Sequence, residues 1–130
     1  MIKHFTATAI LISTTKPAKI LLGLHQKLGV WLPPGGHIEG NENPTECLIR
    51  ETVEETGFDI RPYLTKEQKL EDRVTLLIQP DFILEELIPA RGDKLEHMHL
   101  DCNFILHVPE FSPIFPEREY KDMWWFTKEE

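Results

Sequence analysis

The stretch GHIEGNENPTECLIRETVEETGF, residues 36–58, decides how the rest of the chain is read. Its second half is the best-delimited helix in the sequence. Asn43 is a good N-cap, Pro44 suits the first helical position, and Glu46 stands three residues past the cap as a capping box requires. Gly57 supplies a left-handed stop, so a helix is expected over about residues 44–56. With about 100° of rotation per residue, Glu51, Glu54 and Glu55 fall within an arc of roughly 100° on that helix. Like charges at this spacing repel, and two of the three lie in the last turn, where the helix dipole disfavours negative charge by about 0.3–1 kcal/mol each. Taken alone, the cluster reads as a solvated acidic face beside Arg50. The alternative is a hard-cation site, because Mg²⁺ takes carboxylate oxygens and keeps waters that substrate phosphates replace.

Upstream, Pro33-Pro34-Gly35-Gly36 excludes a helix interior and forms a tight loop. Residues 4–13 and 19–25 are apolar, strand-like runs parted by Thr14, Thr15, Lys16 and Pro17, a hairpin signal. Downstream, 73–79 reads as a strand. So does 97–108, whose alternation sets Met98, Leu100, Cys102, Phe104 and Leu106 toward a core and His97, His99, Asp101 and Asn103 on the opposite face. Residues 81–96 are expected to hold a short element before an Ala-Arg-Gly-Asp turn, and the proline-bearing 109–120 a loop. Trp124 and Trp125 read as core and as a docking site for a following helix. Thr127 and Glu130 are spaced like a capping box with no residues left to follow, which reads as a C-terminal helix cut short. Apolar surface left open there would favour self-association into a homodimer. Strands, then one well-capped helix, then strands indicate a mixed α/β or α+β architecture.

A length of 130 residues fits one domain with a real core, and 41% hydrophobic with 28% charged residues is the balance of a soluble protein. No apolar run is long enough to span a membrane, and the N-terminus lacks a signal peptide's apolar block and cleavage site, so a cytoplasmic location is expected. A formal charge of −8 argues against a duplex nucleic-acid partner. An anionic substrate would need a bound divalent cation beside it. Cys47 and Cys102 fit no C-x-x-C pattern and read as buried free thiols.

The segment from Gly36 to Phe58 resembles the Nudix box: a glycine, five residues, glutamate, seven residues, Arg-Glu, an apolar residue, any residue, Glu-Glu, any residue, glycine, an apolar residue. Gly36, Glu42, Arg50, Glu51, Glu54, Glu55, Gly57 and Phe58 all fall on its fixed positions, and Thr52 stands where an aliphatic residue is usual. The resemblance implies a Nudix-type α/β/α sandwich with a mixed sheet, acting as a MutT-like pyrophosphohydrolase. It implies Mg²⁺, with Mn²⁺ as a substitute, held by Glu51, Glu54, Glu55 and the Gly35 carbonyl. Arg50 and Glu42 would brace loop and helix through a bidentate pair. The implied reaction is attack of water on a phosphorus of a nucleoside diphosphate linked to another group, or of a nucleoside triphosphate. Glu54 or Glu51 is the favoured general base within the box, with Glu96, Glu85 and Glu86 as candidates outside it. His25, Leu32, Gly35, Gly36, His99 and Asp101 are the expected substrate contacts. Trp31 is placed to stack on a base or to pack.

Three rival readings stand beside this one. A nucleotide-sensing module that binds without cutting need not keep three mutually repelling glutamates. A diphosphate isomerase of the same superfamily would need an active-site cysteine, and Cys47 occupies a helical position where alanine is usual. A zinc site from His97, His99 and Asp101 is the remaining alternative.

Overall fold

The computed structural model describes residues 1–130. The strands β1 (Lys3–Ser13), β2 (Ile20–His25), β3 (Trp31–Leu32) and β4 (Gly35–His37) precede the helix α1 (Pro44–Thr56). After it come β5 (Gln68–Glu71), β6 (Val74–Leu76), β7 (Phe82–Ile88), β8 (His97–Val108) and β9 (Tyr120–Phe126). The main sheet runs β3-β2-β1-β8-β7, with β4 also paired to β1 and β9 to β2. It is mixed: β1 and β8 pair in parallel from Lys3 opposite Met98 to Ser13 opposite Val108, while the other pairs are antiparallel.

The helix forms where its caps put it. Asn43 accepts from the Glu46 N–H at 2.9 Å, Glu46 accepts from the Asn43 N–H at 2.9 Å, and Gly57 closes the helix at φ 77°. It packs on β1 and β4, burying Cys47, Leu48 and Thr52. Thr52 keeps the close fit expected of a β-branched residue and returns its hydroxyl to the Leu48 carbonyl at 2.7 Å. The core beneath is Ala7, Ala9 and Leu11 of β1, Phe104 and Val108 of β8, and Met123 and Trp125 of β9.

The mixed α/β architecture is as expected, with one α-helix on one face of the sheet. Several expectations need correction. Trp124, read as core, is 53% exposed while Trp125 is buried, because period two sends neighbours on β9 to opposite faces. The strand expected over 73–79 is only β6, in a separate exposed hairpin with β5. Residues 81–96, by contrast, hold the short element expected before the turn: β7, a seven-residue strand that pairs along β8. On β8, Cys102, Phe104 and Leu106 are buried and Met98 and Leu100 half-buried, but Asp101 and Asn103 on the opposite face are buried too. At the end of the chain, Glu130 accepts from the Thr127 N–H and hydroxyl, each at 2.8 Å, half of the expected capping box within a single turn. No helix is long and apolar enough to cross a membrane.

Candidate active site

Gly35, on β4 against β1, leaves no room for a side chain, and Gly36 lies directly against the Glu51 carboxylate. A Cβ on Gly35 would run into the Ala7 carbonyl, and one on Gly36 into the Glu51 carboxylate. The bare backbone lets α1 bring its carboxylates onto the loop. Glu55 is buried, its Oε1 accepting from the Gly35 N–H at 2.7 Å and its Oε2 from the Tyr120 hydroxyl at 2.6 Å. Burial, opposed by those two hydrogen bonds, pushes the Glu55 carboxyl up to about 8. Burial raises Glu51 too, against the pull of Arg50.

Arg50 gathers the other carboxylates. Its Nη2 and Nε reach Glu42 at 2.6 and 3.0 Å, the bidentate pair expected from the sequence, and Nη2 also donates to the His37 carbonyl at 3.2 Å. Its Nη1 donates to Glu51 at 2.9 Å and Glu54 at 3.3 Å, drawing both onto one point. Hydrogen bonds from Arg50 hold Glu42 below the usual carboxylate range. Cys47 sits under this network, its thiol pushed up to about 12 by burial, an inert packing group as expected.

A cleft of about 550 Å³ opens beside the loop. All six expected substrate contacts, His25, Leu32, Gly35, Gly36, His99 and Asp101, line it, together with Glu55, Tyr120 and Glu86. Glu51 does not line it but sets its carboxylate against Gly36, which does, whereas Glu42 pairs with Arg50. Asp101 is not a free ligand: it accepts from the hydroxyls of Thr6 at 2.9 Å and Thr8 at 2.8 Å and from the Asn103 amide at 3.2 Å, forming a rigid floor. This removes it from the zinc alternative with His97 and His99. His25 spends its Nδ1 on the N–H groups of Lys27 and Leu28, each at 3.2 Å, which ties down its own turn. Trp31 packs edge-to-face on Phe126 with ring centroids 4.9 Å apart, the packing role. Among the outside base candidates, Glu85 pairs with Lys3 at 2.5 Å and Glu96 is exposed, while Glu86 faces the cleft with its proton affinity raised by burial and by Asp101.

Sequence reasoning missed Tyr120, His4 and His37. Tyr120 lies in a segment read as loop, and the two histidines carry no local pattern. Ring centroids separate His37 from His99 by 4.8 Å and from His4 by 5.6 Å, and His97 from His99 by 4.9 Å. Burial, followed by His37, His97 and His4, lowers His99 to about 4, so its imidazole is neutral at pH 7. Burial and the same crowding lower His37.

These features define a class: a mixed-sheet α/β protein whose single α-helix sets glutamates against a glycine loop at the rim of a cleft. The chain belongs to the NUDIX domain family, whose model matches residues 3–130. It is 28% identical to a NUDIX-family hydrolase from Clostridium perfringens, superposing at a TM-score of 0.71 over 99% of this chain and 84% of that one. It is 37% identical over 79 residues to a probable DHNTP pyrophosphohydrolase of Lactococcus lactis, covering 61% of this chain and 40% of that protein. It is 39% identical over 57 residues to an m7GpppN-mRNA hydrolase of Saccharomyces cerevisiae, covering 44% of this chain. The chain spans 6% of the length of that yeast protein.

Proposed function

We propose that this chain hydrolyses a diphosphate bond, in a nucleoside diphosphate linked to another group or in a nucleoside triphosphate, with Mg²⁺ as its ion. Nudix hydrolases generally use divalent metals and act on small nucleotide substrates, which supports the class of reaction. The observation that carries the reading is the seating of Glu51 and Glu55 against Gly35 and Gly36. Two carboxylates are held there, both raised by burial, beside Gly35, where backbone leaves no space for a side chain, and Gly36, where a Cβ would displace the Glu51 carboxylate. Unfavourable buried negative charge of this kind is what a hard cation relieves, and the donor set is all oxygen. The residues therefore fit the ion. Glu51, Glu54, Glu55 and the Gly35 carbonyl would hold it. Held there, such an ion would supply charge neutralisation for phosphate oxygens and acidification of a water.

The remaining work falls to the chain itself. Arg50 holds Glu51 and Glu54 in register through one nitrogen and ties them through Glu42 to the loop. Tyr120 and the Gly35 N–H fix Glu55. Glu86 takes the proton of the attacking water, because it shares the cleft with Glu55 and its raised proton affinity moves it toward neutral pH, as a general base requires. Leu32, His25 and His99 form the wall against which the leaving group lies.

The test is nucleotide or phosphate release from nucleotide-sugars, dinucleoside polyphosphates and nucleoside triphosphates, in Mg²⁺ and then in EDTA. Turnover in Mg²⁺ that stops in EDTA is expected. Nucleotide binding without turnover across the panel would assign the chain to the sensing class.

A further inference from the structure

Beyond the carboxylates, the structure gathers four imidazoles from three strands at the outer end of the cleft. The register makes the cluster: β1 and β8 run in parallel with His4 opposite His99, and β4 sets His37 opposite Thr6, two residues along β1 from His4. His97 lies two residues from His99 on the same face of β8. One ligand atom from each of His4, His37 and His99 lies within 4.8 Å of the other two, and no other trio of His, Cys, Asp or Glu in the chain converges this way.

We propose that His4, His37 and His99 form a second metal site, selective for a borderline divalent cation of the Zn²⁺, Co²⁺ or Ni²⁺ class and separate from the carboxylate site. Imidazole suits these ions, whereas Mg²⁺ prefers oxygen. A tetrahedral ion with metal–nitrogen bonds of about 2.0–2.1 Å sets its ligand atoms about 3.3 Å apart. The trio therefore has to close by about 1.5 Å at most, within reach of side-chain rotation at His4 and His37, which are exposed.

The hydrogen bonds also fix the tautomers. His97 Nδ1 lies 3.0 Å from the Leu95 carbonyl, which only accepts, so Nδ1 carries the proton. His97 Nε2 is then an acceptor, and the 3.2 Å contact with His99 Nε2 places the proton on His99. His99 then keeps a lone pair on Nδ1, with its other nitrogen braced by His97, as ligating histidines commonly are. His97 is thus a positioning residue. His37 and His99 also line the cleft, so an ion here adds positive charge beside a cavity of an acidic protein.

The test is titration of the full chain with Co²⁺ in a large excess of Mg²⁺, read by the visible spectrum and by calorimetry. One equivalent is expected to bind at micromolar or tighter affinity with a tetrahedral spectrum. His4→Gln and His37→Gln, both at exposed positions, are expected to weaken binding about a hundredfold, and His97→Gln about tenfold with the same stoichiometry. Glu54→Gln should leave Co²⁺ binding unchanged, and unaltered thermal unfolding of each metal-free variant checks the fold. Absence of binding in excess Mg²⁺, only millimolar binding, indifference to the histidine substitutions, or loss through Glu54→Gln would each overturn the proposal. None of these readouts depends on hydrolysis.

Discussion

The clustered glutamates at one end of the cleft all come from one contiguous stretch, residues 36–58, whereas the imidazole end is assembled from residues as distant as His4 and His99. At the first, Arg50 and two backbone or hydroxyl donors partner the glutamates before any ion arrives. At the second, the imidazoles meet mainly one another, and the only protein acceptor outside the cluster that orders them is the Leu95 carbonyl. The first end is a preorganised device, and the second is a convergence created by strand register. They should therefore respond differently to substitution.

The largest separation is expected from Glu54→Gln. Glu54 is 57% exposed at its side chain and makes one long contact with Arg50, so the fold should tolerate the change. Its loss should lower kcat by roughly a hundredfold or more with the unfolding temperature held, while the imidazole end keeps its ligands. Unchanged kcat would remove Glu54 from the machinery. Next in size is Glu86→Gln, expected to cost roughly a hundredfold in kcat and to flatten the acid limb of the pH–rate profile. Full activity in that variant would return the base to Glu54 or Glu51.

The same contrast explains what the sequence could tell. Helix 44–56 was legible because cap, proline, capping box and stop lie within 15 residues of one another, and the Arg50–Glu42 pair because both fall inside the same motif. Fold class followed from that motif and the alternation of 97–108. What needs pairing between distant strands was not legible. His4 and His37 are unremarkable until parallel and antiparallel registers bring them beside His99. Tyr120 reads as the end of a proline-rich loop, and only the β2–β9 pairing swings it under Glu55. Trp124 failed for a local reason, since the unbroken apolar run from Met123 to Phe126 hides the strand period that turns Trp124 outward between buried Met123 and Trp125.

Tyr120 lets the comparison be sharpened inside the carboxylate end itself. Tyr120→Phe removes the donor to Glu55 Oε2 and keeps the ring, leaving a buried carboxylate one partner short. A stability loss of about 1–3 kcal/mol in EDTA is expected, partly recovered in Mg²⁺. Equal losses in both conditions would mean that Glu55 does not hold the ion.

The smallest effect is the most specific in its pH dependence. Glu42 is held below its ordinary range first by hydrogen bonds from Arg50, so in the folded state it binds its proton more weakly than in the unfolded chain. Its contribution is therefore fully present above the unfolded value of 4.5 and is lost as pH falls below it through the lower folded value. Glu42→Gln should cost about 1 kcal/mol at pH 7, allowing for the partial exposure of Arg50, and the gap to the wild type should close as pH falls below 4.5. Chemical denaturation at several pH values measures this directly. A gap that stays constant across that range would mean that the pair braces loop 37–42 by shape alone.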